Sequence, residues 1–332
     1  MERREFIKLL GGMSLLPLAP GVAWAALPGT DWKRLLILIE LKGGNDGLNT
    51  VIPYADPAYA RLRPRLAIPR DQVLPLTEST GLHPALKPLL PLWQNGELAL
   101  VQGLGYPDPN LSHFRSIEIW DTASGSQEYL EEGWLARAFH SAPPPGNFAA
   151  DAVAVGDPGL GPFSGSGVRA IALTDSERFL RQAGSITPPE SRTDNLALRH
   201  IMKVENDIAQ AASHLALGNM PTAEFPRGQF GDALKTAARI IGGGSGAAAF
   251  KISLNGFDTH SNQPGTQARL LGDLAQGLAA LRATLNDQGR WRDTLVMTYA
   301  EFGRRPQENA SQGTDHGTAN THFVLGGRVK GG

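Results

Sequence analysis

Hydrophobic positions along the chain gather in short unbroken runs rather than in strict alternation. Arg34–Leu41 reads Arg-Leu-Leu-Ile-Leu-Ile-Glu-Leu, the pattern of a strand covered on both faces, as in a parallel sheet. Similar runs recur at Leu98–Val101, Val168–Leu173, Phe250–Leu254, Thr294–Tyr299 and Phe323–Leu325. Between them the period changes. Leu270, Leu271, Leu274, Leu278, Leu281 and Leu285 recur at three- and four-residue steps and make one apolar helix face. Leu196–Leu217 reads as another helix. Strands alternating with amphipathic helices predict an α/β fold with a mainly parallel central sheet flanked by helices. Loop-rich stretches at Ala142–Gly146, Gly156–Gly167 and Gly242–Gly246 interrupt the pattern, and none has the character of a domain linker.

The first residues follow another logic. Arg3-Arg4 precede Phe6 and Lys8, an apolar stretch runs from Leu9 to Ala19, and Ala23-Trp24-Ala25 supplies a small-residue cleavage pattern. That is the layout of a twin-arginine export signal. The apolar stretch is too short to span a bilayer, and Gly11, Gly12 and Pro17 break it. Residues 1–25 are therefore expected to be a signal read by the Tat export machinery, and residues 31–332 the folded domain, working in the periplasm or otherwise outside the cytoplasm. That route carries chains already folded, often around a cofactor. No later segment is long and apolar enough for a transmembrane helix. The chain ends in Gly326–Gly332, a glycine-rich turn after a strand, so the domain is expected to be truncated at its C-terminus.

Composition narrows the chemistry. The formal net charge is −1, which leaves no electrostatic footprint for nucleic acid. Cysteine is absent, which excludes disulfides and thiolate metal sites. Gly and Pro number 39 and 24 of 332 residues while apolar content stays normal, so many ordered loops are expected. No Rossmann glycine pattern, haem motif or thiolate cluster supports an exported oxidoreductase.

Ligands of parallel sheets bind beyond the carboxyl ends of the strands. The first strand delivers Gly43-Gly44-Asn45-Asp46-Gly47 to that rim, and the strand near residue 252 delivers Asn255-Gly256-Phe257-Asp258-Thr259-His260. The strand near residue 297 delivers Glu301-Phe302-Gly303-Arg304-Arg305, and a following loop Thr314-Asp315-His316-Gly317. Carboxylates and imidazoles are the ligand set for zinc, manganese or iron when thiolate is lacking. Asp46, Asp258, His260, Glu301, Asp315 and His316 are therefore the candidate metal ligands. Each also has a plainer reading: a turn or cap at Asp46, a turn at Asp258, and a local ion pair at Glu301. Ser112 stands where a helix should begin, ahead of Ile117 and Trp120, and is either a cap or a nucleophile favoured by the helix amides. His113 beside it is open between ligand, acid and packed side chain. Arg304 and Arg305 are candidates to clamp an anionic oxygen, or pair with Glu301 and Glu308.

These segments resemble the bacterial family called domain of unknown function 1501. The resemblance rests on Lys42–Thr50, Ser112-His113-Phe114, Phe257–His260, Glu301–Arg305, Thr314–Gly317 and Gly326–Gly332, and covers the chain from residue 34 to its end. It implies membership of the alkaline-phosphatase and sulfatase superfamily, hence an α/β sandwich, two divalent ions such as zinc or manganese, and hydrolysis or transfer of phosphate or sulfate esters. Carried over, Asp46 matches the first-strand carboxylate of one ion, and Ser112 fills the nucleophile slot with different flanking residues. Asp258 and His260 resemble an Asp/His ligand pair, with a shorter spacing. The strand that commonly ends in an Asp-His pair here ends in Glu301-Phe302, so Asp315-His316 or His322 supplies the last imidazole, or Asp315-His316 is itself that pair. The expectation is an exported metal-dependent hydrolase with Ser112 and Arg304 in catalytic roles, acting on an anionic ester or glycan. The alternative is a non-catalytic envelope binding protein on a degenerate fold of the same type.

Overall fold

Strand β1, Leu35–Lys42, lies in the middle of a seven-stranded sheet because its side chains are apolar in both directions. Ile37, Ile39 and Leu41 enter one core and Leu38 the other, all at most 4 % exposed. The other strands are β2, Leu98–Leu104; β3, Ala152–Val155; β4, Ala170–Leu173; β5, Ala249–Asn255; β6, Thr294–Tyr299; and β9, Asn320–Leu325. Between β6 and β9 a small hairpin forms from β7, Arg304–Glu308, and β8, Thr314–His316. The sheet order is β2-β9-β6-β1-β5-β3-β4. Its pairings are parallel except that β9 runs antiparallel to both neighbours. This is the expected α/β class: a mixed, mostly parallel sheet flanked by helices.

A computed structural model of the chain describes residues 31–174, 195, 198–199, 202, 215–244 and 246–332. The twin-arginine segment, most of the helix expected over Leu196–Leu217, and Ser245 of the glycine loop lie outside the described residues. Among the described residues no helix is long and apolar enough to cross a membrane.

Four helices carry the argument: α1, His113–Thr122; α2, Trp134–Ser141; α3, Gln229–Gly242; and α4, Gln263–Asp287. The leucine stripe of α4 packs with Phe230, Leu234 and Ile240 of α3 over one sheet face. Leu135, Ala136 and Phe139 of α2 pack with Leu38, Ala152 and Ala249 over the other. Each fully buried Leu, Ile or Phe contributes about 1.5–3 kcal/mol, so these two layers supply most of the drive to fold. Strand β3 was not anticipated because Ala-Val-Ala-Val is short and half alanine; its burial on both faces makes it a strand.

His322 of β9 is 2 % exposed, and neither ring nitrogen has a hydrogen-bond partner among the described residues. Burial holds its pKa down at about 4. Burial does the same to His83, against the pull of Asp46, again to about 4. Both rings stay neutral in the fold and take up protons on unfolding once the pH drops below about 6.5. Their contribution is therefore complete above that pH and is lost as the pH falls toward 4, by about 3 kcal/mol each. Asp121 works in the opposite sense, since burial raises it to about 7 despite Lys251, but it is one group against two. Urea midpoints are expected to fall between pH 6.5 and pH 4. The His322→Leu variant should lose about 3 kcal/mol less stability than the parent over the same interval; parallel acid profiles would remove His322 as a cause.

Candidate metal centre

The C-terminal ends of β1, β5 and β6 point to one rim, and the chain bends sharply there. Gly43, just past β1, has φ +112°, and a Cβ at this position would sit 2.4 Å from the backbone nitrogen of Asp258. Only glycine permits that approach, which brings the segment after β5 against the segment after β1. Phe257 and Phe302 are buried at 0 % and 2 % and anchor the Asp258 and Glu301 segments from below. Helix α1 enters from the side. His113, Ser116 and Trp120 share one helix face by their spacing, and all three reach Glu301. Ser116 Oγ and Trp120 Nε1 donate to its carbonyl, the latter at 2.8 Å, while His113 Nδ1 meets its Oε1 at 2.8 Å.

Three imidazoles surround the Asp258 carboxylate. His260 Nε2 lies 3.0 Å and His316 Nε2 3.2 Å from Oδ1, and His113 Nε2 lies 3.4 Å from Oδ2. His260 Nε2 and His316 Nε2 are 3.0 Å apart. The other nitrogen of each ring is held from outside: His316 Nδ1 by the Leu111 carbonyl at 2.8 Å, His113 Nδ1 by Glu301 at 2.8 Å, and His260 Nδ1 by Asp315 Oδ1 at 3.4 Å. A carbonyl or carboxylate oxygen only accepts, so each Nδ1 carries the hydrogen. In its neutral form each ring so held turns the Nε2 lone pair toward the Asp258 carboxylate. Acceptors gathered this closely repel one another unless a cation lies among them.

The donor set fits a divalent metal ion. Ligands at zinc-like bond lengths of about 2.0–2.1 Å in tetrahedral array stand about 3.3 Å apart, close to the 3.0–3.2 Å triangle of His260, His316 and Asp258. His113, Asp258 and His316 can each offer one ligand atom within 4.8 Å of one another. Outer oxygens on the distal ring nitrogens are the usual support of metal-binding histidines. Phe302 packs beneath, its ring centroid 4.4 Å from that of His316 and 4.9 Å from that of His113.

The charges are arranged to match. Burial opposes ionisation of Asp258, but the hydrogen bond and the charge of Arg304 outweigh it and hold the carboxyl at about 2. Asn309 and His260 hold Asp315 below its usual range. The groups hydrogen-bonded within this cluster include three carboxylates, Asp258, Glu301 and Asp315, and one guanidinium, Arg304, which reaches Asp258. Glu301 also accepts the Gly43 amide at 2.9 Å through the oxygen that holds His113. Glu301→Gln is expected to weaken metal binding about 10–100-fold by loosening the His113 ring, read by titration calorimetry with zinc. Unchanged affinity would show that Glu301 does not orient the ring.

The structure brings Asp258, His260, Glu301, Asp315 and His316 together, with Glu301 and Asp315 behind the rings rather than among the facing atoms. His113, left open in sequence, joins them because α1 starts at the rim. Asp46 is engaged elsewhere: Arg63 grips both its oxygens at 2.6 and 3.0 Å, and Gln263 Nε2 donates to it at 2.5 Å. Nothing in the local sequence marks Arg63 as its partner. Arg304 presents no spare guanidinium. It donates to the carbonyls of Gly43, Gly44, Phe257 and Thr314 and to Asp258. Ser112 is the exposed cap residue of α1, and its side chain makes no capping bond. Of the alternatives for the last imidazole, His316 lies at the rim, whereas His322 is sealed in the core.

A cleft of about 620 Å³ opens beside His316. Arg305, Thr318, Gln102 and Thr321 also line it. Arg305 is exposed, and its guanidinium makes no hydrogen bond among the described residues.

The sequence matches no curated protein. Several solved structures overlay partially. The C-terminal periplasmic domain of EcEptC from Escherichia coli, in complex with Zn, gives a TM-score of 0.40 at 8 % identity, covering 88 % of this chain and 72 % of that one. The lipoteichoic acid synthase LtaP from Listeria monocytogenes gives 0.38 at 10 % identity, covering 89 % and 67 %. A mutant of TAB5 alkaline phosphatase with Mg bound gives 0.41 at 12 % identity, covering 90 % and 93 %. The family model described as Protein of unknown function (DUF1501) matches residues 99–332. That span takes in His113, Asp258, His260, Glu301, Asp315 and His316, and the chain belongs to the DUF1501 family.

Proposed function

We propose that this chain is an exported, metal-dependent hydrolase of phosphate or sulfate esters, with the ion held by His113, Asp258, His260 and His316. One observation carries the reading: three rings whose Nδ1 atoms are tied to outer oxygens turn their Nε2 atoms onto one carboxylate. Export to the periplasm through the Tat machinery rests on Arg3-Arg4 and the Ala23-Trp24-Ala25 pattern. The ester class rests on the resemblance of the rim motifs to the alkaline-phosphatase and sulfatase superfamily.

When bound, the ion supplies Lewis acidity to an ester oxygen. The chain's own residues do the rest. Arg304 fixes Asp258 from behind, and Glu301, Asp315 and the Leu111 carbonyl fix the rings. Arg305, exposed in the cleft beside His316, takes the anion-holding role expected of Arg304, because the Arg304 donors are spent on carbonyls and on Asp258. Ser112 is the nucleophile of this reading: it stands at the start of α1, where the helix amides favour an anion.

The test is a panel of phosphate and sulfate esters offered to the chain with zinc, manganese or magnesium. Turnover should disappear with chelator, return with one of these ions, and fall at least about a hundred-fold in Ser112→Ala. A chain that binds its ion yet turns over no ester would sink the hydrolase reading and leave the binding-protein alternative.

A further inference from the structure

Asp46 and Arg63 bear on how many ions the rim holds. Asp46 is 1 % exposed and Arg63 0 %. Arg63 Nη1 donates to Asp46 Oδ2 at 2.6 Å and Nη2 to Oδ1 at 3.0 Å, a two-pronged pair. The remaining Arg63 contacts are also made: Nη1 to Asn49 Oδ1 at 2.8 Å, Nε to the Pro306 carbonyl at 2.8 Å, and Nη2 to the Arg305 carbonyl at 3.1 Å. Gln263, itself 0 % exposed, adds a third donor to Asp46. An ion at Asp46 would have to displace a fully buried guanidinium whose one carboxylate partner among the described residues is Asp46. Breaking one partner out of a buried, hydrogen-bonded pair is strongly unfavourable. By contrast, Asp258 lies 46 % exposed, and three imidazole Nε2 atoms stand within 3.4 Å of its oxygens.

We infer that the rim of this chain holds one divalent ion, at His113, Asp258, His260 and His316, and that the Arg63 guanidinium supplies at Asp46 the positive charge a second ion would bring. The inference rests on the metal reading above and departs from the two ions implied by the superfamily resemblance. Arg63 is also a better permanent occupant than an ion. It is fixed to the chain, it cannot be chelated, and its contacts to Arg305 and Pro306 tie the β7 hairpin to the β1 end. Charge at Asp46 is thus independent of metal supply, while charge at Asp258 depends on it.

The experiment is metal stoichiometry. The full chain is purified, loaded with excess zinc or manganese, freed of unbound ion, and measured by elemental analysis and by titration calorimetry. The expected result is one ion per chain in the unaltered protein, none in His316→Ala, and one retained in Asp46→Asn. Two ions per chain, with the second lost in Asp46→Asn, would overturn the inference and leave the metal reading standing. A single ion lost in Asp46→Asn and kept in His316→Ala would overturn it as well. No ion in the unaltered, folded chain would overturn the metal reading and this inference together. The count in the unaltered protein decides the matter even if a variant fails to fold.

Discussion

Arg63→Ala is expected to destabilise the chain by about 3–5 kcal/mol, the usual cost of stranding one partner of a buried ion pair. The variant deprives the Asp46 carboxyl, buried in the parent fold, of two of its three donors. It also cuts the ties to the Pro306 and Arg305 carbonyls that hold the hairpin beneath the candidate centre. Adding Asp46→Asn to Arg63→Ala should recover part of the loss, because a neutral amide is less costly to bury than a lone carboxylate. Urea denaturation of the single and double variants reads both effects. A cost under about 1 kcal/mol, the range of exposed pairs, would mean that water reaches Asp46 and that the pair does not organise the β1 end.

Asp258→Asn is expected to do the reverse, sparing the fold and abolishing ion binding. Asp258 is the one group that faces all three imidazoles. Outer-sphere changes at metal centres cost about 10–100-fold in affinity, so replacing the charged ligand itself should cost more than about a hundred-fold. The effect on the fold is small because the carboxylate is nearly half exposed and solvent screens it. Its depressed pKa acts in the usual carboxylate sense: the contribution is present above about 3.8 and is lost as the pH falls through about 2. Arg304 keeps its carbonyl partners when the carboxylate goes. Calorimetry with zinc or manganese, run beside urea denaturation, separates the two effects. Retained affinity would remove Asp258 from the ligand set.

The contrast between these variants follows from burial. The same residue type, Asp, stands at the end of two neighbouring strands. At residue 46 it is closed over by α4 and Arg63, and at residue 258 it opens to solvent beside a cleft. Two glutamines make the first arrangement possible. Gln263 and Gln267 lie on the buried face of α4 at 0 % and 1 % exposure and bind Asp46, Asn45 and Thr314. In sequence they continue the face of the leucine stripe toward the start of α4 at one-turn spacing, a signal that this end of α4 packs against polar groups. That signal becomes readable only when the facing loop is known.

Much of the architecture was legible because it follows from local pattern. Runs such as Leu35–Leu41 and Thr294–Tyr299 have no polar face to give to water, so they become inner strands. The leucine stripe of α4 can be buried only as a helix. Strand β3 and helix α3 were not legible: one is four small residues, and the other has an apolar face built partly from alanine. The apolar runs placed acidic and imidazole residues at strand ends, and strand direction sent them to one rim.

Local pattern thus set the sheet, the rim, and the residue types that reach it, because strand and helix periodicity act over a few neighbouring residues. Who faces whom was settled by packing across the fold. It paired Arg63 with Asp46, spent Arg304 on carbonyls, brought His113 in on α1, and sealed His322 in the core. Those choices depend on contacts between residues as much as 261 positions apart, as between Arg304 and Gly43. They are settled by burial and hydrogen-bond satisfaction, which a one-dimensional pattern does not encode.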